Sequence, residues 1–293
     1  MEISVIICTK NRTTALGNLL DSLNRQDRVP DEVVIVDGSD SHDTEEMVGR
    51  KKEHLLFGVV YQRTAPGLTR QRNIGVDLSY GNYLFFFDDD VLLEREFLET
   101  VLDTFKEFKD ANVGGVMGRI INVPQSPKAW DVFFKKLFFL SDFGRGRLKP
   151  SGLPSINIGD KVTFVESLSG GCTAYLKEVF NSFRFDENLK GYAYLEDVDF
   201  SYRVGKLYRL LYQPDARLSH FPSTYIKADS KELRKMFVRH HVYLFRKNMP
   251  KDFFHYIAFW ISLIGALLYN GLILRDFRAC RGIFEGLLEP LEC

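Results

Sequence analysis

The first 121 residues alternate short apolar runs with amphipathic segments, and this alternation is the strongest constraint on the fold. Apolar runs predict strands at 3–8, 32–36, 57–62, 83–87 and 113–121. The segments between them carry apolar residues every three or four positions, which predicts helices. These segments are 13–25, 43–52, 68–78 and 94–109. Because the strands read as continuously apolar, we expect an α/β domain whose mainly parallel sheet is covered by helices on both faces.

Composition narrows the functional class. Lys plus Arg and Asp plus Glu number 39 each in 293 residues, so the formal net charge is zero. A protein that grips nucleic acid through its phosphates is usually basic, so we expect no nucleic-acid partner. The four cysteines lie far apart without a CxxC pair, which indicates neither a zinc site nor a disulfide framework. The first strand follows Met1 without a basic, apolar leader, so we expect a cytoplasmic protein.

The pattern loosens after the alternating part and divides the chain. Prolines and glycines interrupt residues 122–161, which also hold a short aromatic segment at 130–143. We expect one domain of two halves, 1–121 and 122–225, followed by a helical tail at 226–293. Later strands and helices are predicted at 162–166, 195–205, 208–212 and 230–247.

The tail holds an apolar segment that is long enough to cross a bilayer. The 22 residues 253–274 contain no Asp, Glu, Lys or Arg, and about 20 apolar residues suffice for a crossing. Eight Lys or Arg between Lys227 and Lys251 precede the segment against two acids, and such a flank suits an anionic cytoplasmic leaflet. We therefore expect a membrane contact through 253–274. The sequence leaves open whether this segment spans the membrane, lies in its plane or is buried in protein.

The fourth predicted strand ends in three consecutive carboxylates, Asp88, Asp89 and Asp90. Adjacent anions repel one another, and folding alone does not require them at the edge of a sheet. Hard divalent cations bind one or two carboxylates together with substrate phosphates. Asp88 and Asp90 are two residues apart, so on an extended segment they point the same way. The motif predicts a divalent-metal site, and the alternative is an acidic cap on the following helix.

Other polar residues follow the remaining strands, at the edge where ligands of such folds collect. Asp37 is placed to bond a ribose hydroxyl, and its neighbours Asp40 or Ser41 would cap the next helix; both interpretations can hold, because different residues are responsible. Glu196 and Asp197 begin a helix, where a carboxylate would act as general base or would stabilise the helix dipole. Arg72 offers a planar cation for a diphosphate or is an ordinary surface charge. His220 follows the last strand and is either a third metal ligand or structural.

Seven motifs, in this order between Cys8 and His220, resemble those of the family 2 glycosyltransferases. The resemblance is closest to bacterial and archaeal enzymes that build surface polysaccharides. The matching segments are Cys8-Thr9-Lys10-Asn11-Arg12, Val36-Asp37-Gly38-Ser39, Arg72-Asn73-Ile74-Gly75, Tyr80-Gly81-Asn82-Tyr83 leading to Asp88-Asp89-Asp90, Gly170-Gly171-Cys172-Thr173, Glu196-Asp197-Val198-Asp199-Phe200 with Arg203, and Tyr212-Gln213-Pro214 before His220.

The resemblance implies a GT-A fold, a Rossmann-like mixed and mainly parallel sheet, with a C-terminal helical tail. It also implies an enzyme that moves a sugar, with inversion, from a nucleotide-diphospho-sugar to a glycan or lipid-linked acceptor. Residues 1–121 would then bind the nucleotide, and 122–225 would bind the acceptor and supply the catalytic base. The implied location is the cytoplasmic face of the membrane.

The resemblance also assigns roles to individual residues. Thr9 and Asp37 would contact the nucleoside, and Asp197 would deprotonate the acceptor. Asp88 would serve both the ribose and a divalent metal, Mn²⁺ or Mg²⁺. The expected metal ligands are Asp88, Asp90 and His220. Further residues expected to bind substrate are Arg12, Asp40, Arg72, Asn73, Asp89 and Glu196.

Three alternatives remain at this stage. In a phosphohydrolase Asp88 would be a nucleophile, but its strand would come first in the chain and here it comes fourth. A sugar-phosphate nucleotidyltransferase would share the sheet and the metal, but Lys10-Asn11-Arg12 lacks the glycines of a phosphate-binding loop. A non-catalytic, membrane-associated scaffold with a degenerate GT-A fold is the alternative from another class, and product formation distinguishes it.

Overall fold

The computed structural model describes residues 1–122, 128–141, 146–155, 159–222, 229–289 and 291. Parts of the loosely patterned segment 122–161 and of the aromatic segment 130–143 lie outside these ranges, as does Lys227 of the basic flank. The predicted domain boundary at residue 225 also falls outside them, so the division of the chain stays a prediction.

The described part of the chain contains these elements. The strands are β1 (Ile3–Thr9), β2 (Glu32–Asp37), β3 (Gly58–Arg63), β4 (Tyr83–Asp88), β5 (Val91–Leu93), β6 (Val113–Ile120), β7 (Thr163–Val165), β8 (Cys172–Leu176) and β9 (Arg209–His220). The α-helices are α1 (Thr13–Leu23), α2 (Asp43–Lys51), α3 (Leu68–Leu78), α4 (Phe97–Glu107), α5 (Ala129–Leu137), α6 (Glu196–Val204), α7 (Ser230–Asn248), α8 (Phe253–Leu268) and α9 (Phe277–Leu288). Short 3₁₀ turns and a π-helix complete them, at Lys52–His54, Lys109–Ala111, Lys177–Asn181 and Tyr269–Ile273.

The strands form one mixed sheet in the order β3-β2-β1-β4-β8-β6-β9-β5, with β7 paired to β9. Parallel pairing joins β3, β2, β1 and β4, and also β6 with β9. Antiparallel pairing joins β8 to β4 and β6, and joins β5 and β7 to β9. The predicted α/β fold with a mixed sheet is confirmed, and its parallel pairs are concentrated in the first half of the chain.

The central strands are apolar because they lie between layers of helices. β1, β2 and β4 are almost wholly buried along their length, as their continuous apolar sequence predicts. Helix α3 packs on β1 and β2, where Gly75 leaves room for Ile6. The parallel pairing of β1 with β2 and with β4 places the carboxyl ends of these three strands side by side at one edge of the sheet.

Two strands were not predicted, and one is longer than predicted. β5 has three residues and β8 has five, too few for a periodic pattern. The predicted strand 208–212 continues to His220 as β9, with Pro214 inside it. These elements are defined by their partners in the sheet, which lie far away in sequence.

The tail is helical, as predicted, and its three helices pack on one another. Helix α9 lies against α7 so closely that a side chain at Gly282 would overlap the backbone oxygen of Lys231. A Cβ at Gly286 would lie 2.7 Å from the backbone oxygen of Lys235. Within the described ranges, Phe253–Ile273 is the one helix with the length and composition to cross a membrane.

Candidate active site

The candidate site lies where β4 ends, and two strand pairings assemble it. β4 is parallel to β1, with Asp88 opposite Cys8. After the turn at Asp89 and Asp90, β5 pairs antiparallel with β9, so that Val91 lies opposite His220. This second pairing brings the last residue of β9 to the acids that follow β4.

Asp88, Asp90 and His220 form a cluster whose potential ligand atoms all lie within 4.8 Å of one another. Nε2 of His220 lies 3.0 Å from Oδ1 of Asp90, and this hydrogen bond raises the pKa of His220. The side chain of Asp88 is 41% exposed, whereas that of Asp90 is buried. Two carboxylates and an imidazole are a donor set that suits a divalent cation such as Mn²⁺.

Arg12 ties the acidic turn to the end of β1. Its Nη1 donates to Oδ1 of Asp89 and to Oδ2 of Asp90, both at 2.8 Å. The hydroxyl of Thr9 donates to Oδ2 of Asp89 at 2.7 Å, and burial raises the pKa of Asp89 to about 6. These bonds give Thr9, Arg12 and Asp89 a structural role, and their contacts with substrate stay predictions.

The loop after β2 contains one buried and one exposed acid. Asp37 is fully buried, and its carboxylate accepts hydrogen bonds from the backbone N–H of Ser39 at 2.7 Å and the hydroxyl of Tyr61 at 2.5 Å. Asp40 is exposed, and the side-chain amide of Asn11 donates to it at 2.7 Å. Asp37 thus holds the loop in shape, and its predicted contact with the nucleoside stays a prediction.

Arg72 and Glu196 form a buried ion pair, with Nη1 2.6 Å from Oε1. Nη2 of Arg72 donates to the backbone oxygen of Gly170 at 3.1 Å and lies 3.8 Å from Oδ1 of Asp88. Burial raises the pKa of Glu196 to about 8, and Arg72 opposes that rise. Within the described part of the chain, Oε2 of Glu196 has no hydrogen-bond partner. The buried guanidinium of Arg72 therefore attracts the carboxylate of Asp88 electrostatically. Direct contact of Arg72 with a diphosphate stays a prediction.

Asp197 begins α6 beside this pair and keeps contact with solvent. The backbone N–H of Gly170 donates to its Oδ2 at 2.9 Å, and the N–H of Val198 donates to its Oδ1 at 2.8 Å. The side chain is half-buried. Two fixed donors hold the carboxylate in place and leave it partly exposed, and its role as a general base stays a prediction.

Asn73 joins α3 to the segment before α6. Its Nδ2 donates to the backbone oxygen of Phe185 at 3.0 Å and to Oε1 of Glu187 at 2.9 Å. Its Oδ1 accepts from the backbone N–H of Phe185 at 3.0 Å. The structure gives Asn73 a structural role because both ends of its amide are used, and its contact with substrate stays a prediction.

The Gly170-Gly171 turn contacts both acidic groups, although its sequence suggested no role by itself. A Cβ at Gly171 would overlap Oδ2 of Asp88 and lie 2.8 Å from its Cγ. A Cβ at Gly170 would lie 2.7 Å from the terminal nitrogens of Arg72. A side chain at either position would therefore displace Arg72 or Asp88. The double glycine before β8 was a visible signal, but its neighbours in space are distant in sequence.

Tyr192 lies near the site, and the sequence did not single it out. It lies in a short segment with left-handed backbone at Gly191, Ala193 and Leu195, whose φ angles are 69°, 50° and 65°. Non-glycine residues adopt this conformation at a cost and often near functional sites. The side chain is 51% exposed, and partial burial together with the charge of Asp88 raises its pKa. Tyr192 therefore borders the acid cluster.

The sheet, the acid cluster at the carboxyl ends of its strands and the adjacent carboxylate of Asp197 define a GT-A type of α/β protein. The family model described as glycosyl transferase family 2 matches residues 4–182. Since this is more than half of the chain, the protein belongs to that family, as the sequence motifs predicted.

Three comparisons illustrate the relationship. The chain is 33% identical over 111 residues to abequosyltransferase RfbV of Salmonella typhimurium, covering 36% of this chain and 33% of that protein. It is 29% identical over 108 residues to GalNAc(5)-diNAcBac-PP-undecaprenol beta-1,3-glucosyltransferase of Campylobacter jejuni, covering 36% and 35%. The match thus spans about a third of these curated relatives.

The third comparison is with a solved structure. The mannosyltransferase PcManGT from Pyrobaculum calidifontis, in complex with GDP-Man and Mn²⁺, superposes with a TM-score of 0.60 at 18% identity. The match covers 98% of this chain and 86% of that one. At this identity the likeness shows the fold, and it confirms the expected GT-A architecture.

Proposed function

We propose that this chain is a divalent-metal-dependent, inverting glycosyltransferase with a nucleotide-diphospho-sugar donor. The observation that carries the proposal is the cluster of Asp88, Asp90 and His220 at the sheet edge where the turn at Gly170-Gly171 also holds Asp197. Membership of glycosyl transferase family 2 supports the type of reaction.

On the donor side, Asp88, Asp90 and His220 would hold the cation. A bound divalent ion supplies positive charge that stabilises a departing nucleoside diphosphate. Arg12 holds Asp90 at 2.8 Å, and the Gly171 backbone packs against Asp88. The protein thus keeps both carboxylates in position before the donor arrives, which avoids reorganisation during the reaction.

On the acceptor side, Asp197 would accept the proton of the acceptor hydroxyl. The backbone N–H groups of Gly170 and Val198 fix the plane of its carboxylate. The hydroxyl oxygen would attack the anomeric carbon while the bond to the diphosphate breaks on the opposite face. A single displacement of this kind inverts the anomeric configuration.

The tail and one of the relatives support a proposal for the acceptor and the location. The Campylobacter relative is named for a substrate that carries undecaprenol, and the present chain has an apolar helix next to basic residues. We propose a lipid-linked glycan acceptor, used at the cytoplasmic face of the membrane in the synthesis of a surface polysaccharide. A net charge of zero gives no reason to propose nucleic acid as a partner.

The test is release of nucleoside diphosphate. The purified chain would be incubated with UDP-, GDP- and dTDP-sugars in the presence of Mn²⁺, Mg²⁺ or EDTA. We expect slow, metal-dependent release with one of these nucleotides, because many transferases hydrolyse their donor without an acceptor. Asp90→Ala should abolish the dependence on metal, whereas Asp110→Ala, an exposed acid away from the site, should not change it.

If the enzyme does not hydrolyse its donor without an acceptor, calorimetry of nucleotide binding provides the test instead. We expect Mn²⁺ to strengthen binding of one nucleotide to the wild type and to the Asp110→Ala variant, but not to the Asp90→Ala variant. If neither release nor metal-dependent binding occurs with any donor, the proposal is wrong and the scaffold alternative replaces it.

A further inference from the structure

Helix α8 exposes a continuous apolar stripe. Its members follow the helical repeat and are 36% to 81% exposed. They are Phe253, Ile257, Trp260, Ile264 and Leu268. On α5, which contacts Tyr269 just after α8, Trp130 is also exposed, at 62%. We call these six residues the apolar face. A helix with such a stripe normally buries it, and no described residue covers this one.

The opposite side of α8 is packed on the rest of the chain. The ring of Phe259 stacks on that of Phe245 in α7, with centroids 4.4 Å apart. Gly265 lies so close to α5 that a side chain there would overlap Phe138. Tyr269, just after α8, donates a hydrogen bond to Asp131 of α5 at 2.8 Å. These contacts fix which side of α8 faces outwards.

The path of the chain argues against a membrane crossing by α8. Helix α8 begins beside the C-terminal end of α7. After α8 the chain lies beside the N-terminal end of α7, where Asp276 accepts a hydrogen bond from the hydroxyl of Ser230 at 3.1 Å. Ion pairs then join α9 to α7, at 2.9 Å between Lys231 and Glu285 and at 2.7 Å between Lys235 and Glu289. A crossing would carry these charges to the depth of the hydrocarbon, where charged side chains are costly.

A basic corner lies at one end of the stripe. A cavity of about 550 Å³ between α7 and α8 is lined by Tyr243, Arg246, Lys247, Lys251 and Tyr256. Lys247 is neutralised by Asp186 and Asp199. Arg246 and Lys251 are exposed, and neither forms an ion pair with any residue in the described ranges.

The chemistry of this corner matches the headgroup region of a membrane. Two cations beside Phe253 complement the phosphates of anionic lipids, and tyrosine and tryptophan are favoured at the boundary between headgroups and hydrocarbon. A second protein chain would match the apolar stripe, but it would not account for two cations without partners at its end.

We propose that α8 lies in the plane of an anionic lipid bilayer, with the apolar face in the hydrocarbon boundary and Arg246 and Lys251 among the headgroup phosphates. Of the proposed function, this inference uses only the membrane contact. It does not depend on the chemistry of sugar transfer.

The two tryptophans of the chain, Trp130 and Trp260, both belong to the apolar face, so intrinsic fluorescence reports the docking without a label. The full chain would be mixed with phosphatidylcholine vesicles, with and without phosphatidylglycerol. The lipids would carry bromine either near the headgroup or near the chain end. We expect binding that requires phosphatidylglycerol, and quenching that is strongest with the shallow bromines.

The Trp130→Phe variant isolates the signal of Trp260. In a crossing helix Trp260 would lie about 10 Å below Phe253 along the axis, and deep bromines would quench it best. Strongest quenching by deep bromines overturns the in-plane arrangement. Absence of binding to either vesicle, or self-association that shields both tryptophans without lipid, overturns the choice of partner.

Charge variants test the basic corner. Arg246→Ala combined with Lys251→Ala should weaken binding to phosphatidylglycerol vesicles roughly 30-fold, from the loss of two attractions to the surface. The matched control, Arg50→Ala with Lys52→Ala, removes two exposed cations in and just after α2 and should bind like the wild type. Equal binding by both double variants would overturn the role of the corner.

Donor hydrolysis in solution, measured on the same variants, separates the two proposals. It should be unchanged in the corner variant, because Arg246 and Lys251 touch no residue of the candidate site. Vesicle binding with neither donor hydrolysis nor metal-dependent nucleotide binding would refute the proposed function and leave the docking surface intact. Donor hydrolysis without vesicle binding would refute the docking surface and leave the proposed function intact.

Discussion

The sheet edge and the helical tail differ in how far their charged side chains are paired. At the edge, the acids of the site outnumber the basic groups that contact them, because four acids (Asp88, Asp89, Asp90 and Glu196) share Arg12, Arg72 and His220. In the tail, cations of α7 that face α9 are paired with acids, and it is apolar surface that is left open. Each region leaves groups without a matching partner in the described part of the chain, and these groups indicate what binds there. The excess of acids at the edge indicates a cation with a diphosphate, and the open apolar surface with Arg246 and Lys251 indicates lipid at the tail.

The largest expected effect separates the base from the donor site. Asp197→Asn should lower sugar transfer about 10²- to 10⁴-fold, because an amide cannot accept the proton of the acceptor. The amide oxygen can still accept from the N–H of Gly170, so the affinity for donor should stay unchanged. Transfer would be followed by product formation and donor affinity by calorimetry, with Asp110→Asn as control. Transfer within tenfold of the wild type would contradict the assignment.

The next prediction concerns the independence of the tail. Gly282→Leu would force α9 away from the backbone of Lys231, and we expect the free energy of unfolding to fall by about 1–3 kcal/mol. The affinity for donor, measured below the unfolding transition, should not change. Gly49→Ala is the control, since a Cβ at Gly49 meets no atom within 4 Å, and it should be neutral or slightly stabilising. A parallel loss of donor affinity would show that the two regions are coupled.

A glycine at the sheet edge tests the acid cluster itself. Gly171→Ala places a methyl group onto the carboxylate of Asp88, so Asp88 has to move. We expect the metal-dependent part of donor affinity to fall about tenfold, equivalent to about 1.4 kcal/mol. Calorimetry with Mn²⁺ and with EDTA measures this part, and the Gly49→Ala variant should bind as the wild type does. Unchanged affinity would mean that Asp88 does not hold the cation.

Expressed per pH unit, the smallest expected effect is a pH dependence caused by Glu196. Its pKa is raised by burial to about 8 in the folded protein, against about 4.3 in an unfolded chain. The folded state therefore binds the extra proton, and its stability falls as the pH rises through this window. Relative to Glu196→Gln, the free energy of unfolding of the wild type should fall by up to about 1.4 kcal/mol per pH unit.

Chemical denaturation of both proteins between pH 5 and pH 8 measures this difference. Taking the difference removes the titration of Asp89 and His220, which is common to both proteins. A wild type that gains stability over the variant as the pH rises would contradict the raised pKa and would indicate that Arg72 keeps Glu196 charged.

Local pattern was sufficient for much of the fold. Helix α3 was predicted at 68–78 and lies at Leu68–Leu78. β1, β2 and β4 each end one residue later than predicted. These elements repeat their apolar residues over six or more positions, so a window of sequence contains the whole signal. β5 and β8 are shorter than such a window, and only pairing with β9, β4 and β6 defines them.

The candidate site divides in the same way. The acids after β4 and the Glu196-Asp197 pair were visible as local clusters of like charge, and the order of the motifs indicated the family. That His220 approaches Asp90 depends on the pairing of β5 with β9. That Asp37 is buried beneath Tyr61 depends on the register of β3.

By itself, the sequence determined the class of fold, the family, the acids to consider and the presence of a long apolar segment. Only the tertiary structure decided that Gly171 packs on Asp88, that Arg72 lies buried on Glu196, and that α8 folds back along α7 with one side exposed. The physical reason is the separation in sequence between the residues that produce each feature. Periodicity and charge clusters arise from neighbouring residues, whereas burial, ion pairing and the direction of a helix face arise from contacts between segments far apart in the chain.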